Sequence, residues 1–127
     1  MRHPHILIVD DEPNIVMSLE FLMRKNGYHV SIARNGTEAL EAINQTAFDV
    51  ILLDIMMPDV DGYQVCRHVK TRSDRQTTKV IFLSAKSKEA DVQKGYDVGA
   101  DLYIPKPFST RQLVSKVQEL VAATATG

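Results

Sequence analysis

A chain of 127 residues with a formal net charge of -1, 44% hydrophobic and 24% charged, has the makeup of one domain with a packed core. The high apolar content and even charge exclude intrinsic disorder, and without a basic excess no direct nucleic-acid binding is expected. The lone Cys66, taken as a small apolar helix residue, leaves no intramolecular disulfide to form, so a reducing, cytoplasmic setting is expected.

In chain order, Ile6-Leu7-Ile8-Val9 is a continuous aliphatic run that stops at Asp10-Asp11, the pattern of a central strand covered on both faces. Apolar residues at helical spacing follow at Ile15, Leu19, Leu22 and Met23, with Pro13 suited to the first turn and Gly27 to the close. Short apolar runs recur at 30–32, 50–53, 80–83 and 102–104. Between them lie helical stripes at Ala39, Leu40 and Ile43 and at Val65 and Val69, then a weakly patterned stretch from about Lys88 to Val98. The last stripe is the clearest: Leu113, Val114, Val117, Leu120 and Val121, with Ser109 and Gln112 fitting a capping box at its start. No apolar run approaches the roughly 18 residues of a membrane span. Met1 to His5 leads into too short an apolar stretch for a signal peptide. Ala122 to Gly127 is small and polar, a frayed end or the start of a linker, so the domain is placed at 1–122 and a tail at 123–127.

Alternating strands and helices predict an α/β fold, a five-stranded parallel doubly wound sheet. Ligands of such sheets bind at the edge formed by the carboxyl ends of the strands. Asp10, Asp11, Asp54, Ser84 and Lys106 all follow strand ends and would meet there. Carboxylates crowded together repel unless a cation neutralises them, and hard oxygen ligands at this density suit magnesium, with manganese as the alternative. With such an ion and Lys106 the formal charges cancel, and a phosphoryl group can enter without strong repulsion. Simpler roles exist for some of these residues. Asp10-Asp11-Glu12 before Pro13 could cap a helix, and Asp59 and Asp61 read as turn residues. His3, His5, His29 and His68 show no metal-ligand spacing with one another or with Cys66. Asp54 directly after Val50-Ile51-Leu52-Leu53 interrupts a buried run and has no such ordinary explanation.

Asp10-Asp11, Asp54 followed by Met57-Pro58 and Asp61-Gly62, Ser84-Ala85 and Lys106-Pro107 resemble the receiver domain of two-component response regulators, over essentially the whole chain. The resemblance implies a flavodoxin-like sheet of order 2-1-3-4-5 with five helices. It implies that Asp54 accepts a phosphoryl group from a sensor histidine kinase or a histidine phosphotransfer protein. Magnesium would be held by Asp11, Asp54 and the backbone carbonyl of Met56, and through water by Asp10. Ser84 and Lys106 would contact the phosphoryl oxygens, with a cis Lys106-Pro107 bond aiming the lysine inward. Tyr103 takes the place of the family's switch aromatic. The face formed by the fourth helix, fifth strand and fifth helix would then change its binding to a downstream effector or a fused output domain.

The resemblance also implies self-modification only, not enzymatic turnover of other molecules. Where many DNA-binding regulators dimerise on phosphorylation through paired charges, two usual charged positions here read Val92 and Leu102. That favours a heterologous partner or an apolar contact over a charge-paired dimer. Met56 and Lys86, two residues beyond the acceptor and Ser84, would tune hydrolysis. Met56 cannot accept a proton from an attacking water and Lys86 is a donor-only cation, so a long-lived phosphorylated state is expected. Two rivals are a degenerate receiver serving as a constitutive binding module and a magnesium-dependent aspartyl phosphatase of the haloacid dehalogenase-like kind. The second needs an acid where Met56 stands, and the first would lack residues that are all present.

Overall fold

The computed structural model describes residues 3–126, which run β1 (His5–Val9), α1 (Pro13–Lys25), β2 (His29–Ala33), α2 (Gly36–Gln45), β3 (Val50–Leu53) and α3 (Gly62–Thr71). A short 3-10 turn (Ser73–Arg75) leads to β4 (Lys79–Ser84), α4 (Glu89–Asp97), β5 (Leu102–Pro105) and α5 (Thr110–Thr126). The strands form one parallel sheet in the order β2-β1-β3-β4-β5.

The central strands are apolar along their interiors, from Ile6 to Val9, Val50 to Leu53 and Val80 to Leu83, because alternate side chains enter two different cores. Leu7, Val9, Ile51, Leu53, Val80 and Phe82 pack with Ala39 and Ile43 of α2 and Val65, Cys66 and Val69 of α3. Ile6, Ile8, Val50, Leu52, Ile81 and Leu83 pack with Leu19 and Met23 of α1 and Leu113 and Val117 of α5. Truncating one of these, as in Leu52→Ala, costs about 2–5 kcal/mol because the close-packed surroundings only partly collapse.

Local chemistry sets the helix ends. Pro13 opens α1 and Gly27, at φ +89°, follows its C-cap Asn26. The N-cap of α1 is Glu12, whose side chain makes no capping bond. Asp10 and Asp11 therefore stand outside the helix start, and the capping role that the sequence allows them is not what holds α1. Ser109 Oγ accepts the Gln112 N–H at the start of α5. That helix continues to Thr126, past the tail boundary drawn from composition; Gly127 at the end of that tail, and Met1 and Arg2 of the leader expectation, lie outside the described residues. Among the described residues no helix is long and apolar enough to cross a membrane.

The weakly patterned stretch is indeed a helix, α4, flanked by Lys88 and Val98. It buries only Gly95 fully, with Val92 packed in part against the core. Few apolar contacts hold it, which marks an element of low local stability.

Candidate functional site

The site is built by the strand ends. Asp54 N–H donates to the carbonyl of Val9 (3.0 Å) and Asp10 N–H to that of Ala33 (3.2 Å), so both acids stand where the ladders of β3 and β1 stop. One oxygen from each of Asp10, Asp11 and Asp54 lies within 4.8 Å of the others. Asp10 and Asp54 are buried, at 2% and 8% exposure, and Asp11 is exposed. Lys106 Nζ reaches in from the end of β5, 3.0 Å from Asp10 Oδ2 and 4.0 Å from Asp54 Oδ2. The Lys106-Pro107 peptide is cis.

Asp10 is further fixed by Glu12 N–H, which donates to its Oδ1 (2.9 Å), and Asp54 Oδ1 accepts Ile55 N–H (2.8 Å). Burial pushes the Asp54 carboxyl up to about 6. The Lys106 ammonium pulls it down, Asp10 pushes it up, and backbone N–H groups of Ile55 and Met56 favour the anion. Three carboxylates this close, with one ammonium among them, fit a divalent cation.

Ser84, at the end of β4, is fully buried, and its Oγ accepts Lys86 N–H (3.1 Å). Tyr103 is turned inward, with its ring 5.8 Å from that of Phe82 and its hydroxyl donating to the Lys86 carbonyl (2.7 Å). The loop after β4 is thus tied to β5 on one side and to Ser84 on the other. Met56 is 61% exposed beside the acids, and Lys86 Nζ lies 3.9 Å from Asp91 Oδ1 on the rim, turned toward α4. Lys86 is placed in this structure as a partner of α4.

Several residues act here that turn chemistry alone concealed. Asp61 caps α3 in a full capping box with Gln64. The spacing Asp61-x-x-Gln64 is the signal that finds it. Asp59 accepts Gly36 N–H (3.0 Å) and Thr37 N–H (2.8 Å), tying the β3–α3 loop to the start of α2. Gly62 is required by contact: a Cβ there would collide with the Asp54 carbonyl oxygen and come 2.8 Å from Ile55 Cα. Tyr63, behind the site, donates its hydroxyl to the Asp91 carbonyl (3.1 Å), and Lys94 sits 4.5 Å over its ring. Burial pushes the Tyr63 hydroxyl up to about 12, which keeps it a neutral donor. The four histidines stay apart from this edge: His5 pairs with Ser31 and His68 with Asn44.

Residues 6–118 match the response regulator receiver domain. This chain belongs to that family. Receiver domains of two-component response regulators serve phosphorylation-controlled signalling and generally bind magnesium at an acidic pocket, and this receiver presents such a pocket in Asp10, Asp11 and Asp54. It is 42% identical over 120 residues to a probable transcriptional regulator of Cyanidium caldarium, ycf27, covering 94% of this chain and 47% of that protein. The receiver thus spans about half the length of this curated relative. Among solved structures it resembles a CheY-like receiver domain protein from Methanospirillum hungatei, with TM-score 0.92, 30% identity and 98% of each chain covered. It also resembles the beryllofluoride-activated DrrB receiver domain, with TM-score 0.87, 33% identity, and 95% and 99% of the two chains covered.

Proposed function

We propose that this receiver takes a phosphoryl group onto Asp54 from a phosphohistidine of a sensor kinase or phosphotransfer protein, in a magnesium-dependent step. The observation that carries the proposal is the convergence of three carboxylates on Lys106 beside the buried Ser84 hydroxyl. Asp11, Asp54 and the Met56 carbonyl would hold magnesium, with Asp10 acting through a bound water. The ion supplies the positive charge that lets a carboxylate and a phosphoryl dianion approach.

An oxygen of Asp54 attacks phosphorus as the bond from phosphorus to the imidazole nitrogen breaks, and the imidazole carries away the bonding pair. Lys106 and the Ser84 hydroxyl then take up phosphoryl oxygens, one by charge and one by hydrogen bond. Asp10 keeps Lys106 aimed at the site until that moment. The added group draws on the Ser84–Lys86 loop, the loop on Tyr103, and the α4, β5 and α5 face changes its affinity for an effector or a fused output domain. Val92 and Leu102 on that face are partly buried among apolar neighbours, which suits a heterologous or apolar contact better than a charge-paired dimer. The domain limits 1–122, with the rest of the chain as tail or linker, belong to this proposal. So do self-modification with slow self-hydrolysis as the only chemistry, and a cytoplasmic location.

Incubation with magnesium and acetyl phosphate, read by intact mass, tests the acceptor. One phosphoryl adduct is expected, absent in Asp54→Asn and after chelation. Adduct at wild-type level in Asp54→Asn would overturn the assignment.

A further inference from the structure

Helix α4 lies against the free edge of β5, and one side chain joins them. β5 pairs with β4 alone, and Lys106 N–H donates back to the Ser84 carbonyl, so alternate N–H groups of β5 face away from the sheet. The Tyr103 N–H is one of these, and it donates to the Tyr96 hydroxyl at 3.1 Å. Tyr96 stands in the last turn of α4 and is 42% exposed, while the adjacent Gly95 is buried against the ring of Tyr103. A Cβ at Gly95 would lie 2.8 Å from Tyr103 Cδ2 and 3.2 Å from Phe82 Cδ2. The inward ring therefore needs α4 seated with its bare glycine over the tyrosine, and the Tyr96 hydroxyl bond forms in that same seating.

We infer that Tyr96 is a positioning residue of the phosphorylation switch: by accepting the Tyr103 N–H it seats α4 on β5 and holds the Tyr103 ring inward. The inward ring holds the Lys86 carbonyl (2.7 Å), and Lys86 N–H is held by Ser84 Oγ (3.1 Å), so the chain of contacts runs from Tyr96 to the phosphoryl-contacting hydroxyl. The other contacts that fix α4 cluster away from β5, with the Tyr63 hydroxyl on the Asp91 carbonyl, Lys86 beside Asp91 and Lys94 over the Tyr63 ring, and few apolar contacts run along its length. Coupling between sites is reciprocal, so whatever favours the seated helix favours the loop arrangement around a phosphoryl group, and the reverse. This inference rests on the phosphoacceptor assignment of Asp54 and adds a residue that acts on that site through Tyr103, Lys86 and Ser84.

The test uses beryllofluoride with magnesium as the phosphoryl mimic, titrated calorimetrically into wild type, Tyr96→Phe, Tyr103→Ala and the double variant. Tyr96→Phe keeps the ring and loses one hydrogen bond, so about five-fold weaker binding is expected. In the Tyr103→Ala background the same substitution should change nothing, because no ring remains to be positioned. Unchanged affinity in Tyr96→Phe, or equal weakening with and without the Tyr103 ring, would overturn the inference. Amide exchange on the magnesium-free protein is the second arm. Tyr96→Phe should speed exchange at Tyr103 and, through the loop, at Lys86. Protection at Lys86 equal to wild type would also overturn it. Failure of the wild type to bind the mimic would count against Asp54 as acceptor, and the exchange arm alone would then decide the role of Tyr96.

Discussion

Acidic side chains stand at both edges of the sheet, and the fold treats them in opposite ways. At the edge where the strands begin, Asp101 Oδ2 accepts both Val80 N–H (2.8 Å) and Lys70 Nζ (2.8 Å), and Lys70 also donates to the Thr78 carbonyl (2.9 Å). Asp49 Oδ2 there accepts His5 N–H (2.7 Å). Each of these acids completes a backbone group that a strand start leaves open. At the edge where the strands end, Asp10, Asp11 and Asp54 crowd together beside Lys106, and Asp54 is pushed up to about 6. Acids that finish the scaffold stabilise it. Acids gathered beyond the donors available destabilise the empty site and prepare it for a cation and a phosphoryl group, the usual exchange of stability for function.

The contrast can be broken most directly at the scaffold edge. Asp101→Ala leaves Val80 N–H without its acceptor and Lys70 with the Thr78 carbonyl but no carboxylate, so urea denaturation should show a loss of about 1–3 kcal/mol. Acetyl phosphate labelling of the folded variant should stay at the wild-type level. Unaltered stability would mean that the two edges are not treated differently.

Magnesium sharpens the comparison from the other side. At ten times its dissociation constant it should stabilise wild type by about 1.4 kcal/mol by mass action, and Asp101→Ala equally. Asp11→Ala should gain far less at the same concentration. Equal stabilisation of the Asp11 variant would move the cation away from this edge.

Removing an acid from the crowded edge should stabilise the protein. Without magnesium at pH 7, Asp54→Asn is expected to gain about 1 kcal/mol. The sign follows from a folded carboxyl near 6 against an unfolded value of about 4. The cost of burying the anion is fully present above the folded value, shrinks as pH falls through it, and is gone below the unfolded value. Denaturation at pH 3, below both values, should therefore show the gain abolished; a gain that persists there is not electrostatic.

The smallest effect concerns the rim. Met56→Asn should shorten the lifetime of the phosphorylated protein about three-fold after donor removal, by orienting an attacking water. Lys86→Glu should do less, since Lys86 Nζ lies beside Asp91 rather than over the acids. Decay in wild type as fast as in Met56→Asn would remove Met56 from the rate.

The strands were legible because burial on both faces leaves unbroken apolar runs, and the acids at their ends were legible because each breaks such a run. Helix α4 was faint for the matching reason: it buries Gly95 and little else, and polar contacts hold it instead, the Tyr63 hydroxyl on the Asp91 carbonyl, Lys94 over the Tyr63 ring, Lys86 beside Asp91 and the Tyr96 hydroxyl on the Tyr103 N–H. Asp59 read as a turn residue because its partners, Gly36 and Thr37, are remote in the chain. Asp61 also read as a turn residue, although its capping partner Gln64 is three residues on and visible in the sequence.

The sequence by itself determined the alternation of elements, their order and the chemical types collected at one edge, since these depend on local periodicity and on the direction every parallel strand shares. Tertiary structure decided which partner each charge meets. Lys106 lies closer to Asp10 than to Asp54, Lys86 turns to the rim, and the Tyr103 N–H finds the Tyr96 hydroxyl. Those pairings depend on distances between residues far apart in the chain, set by how the helices pack on the sheet, and no local pattern carries them.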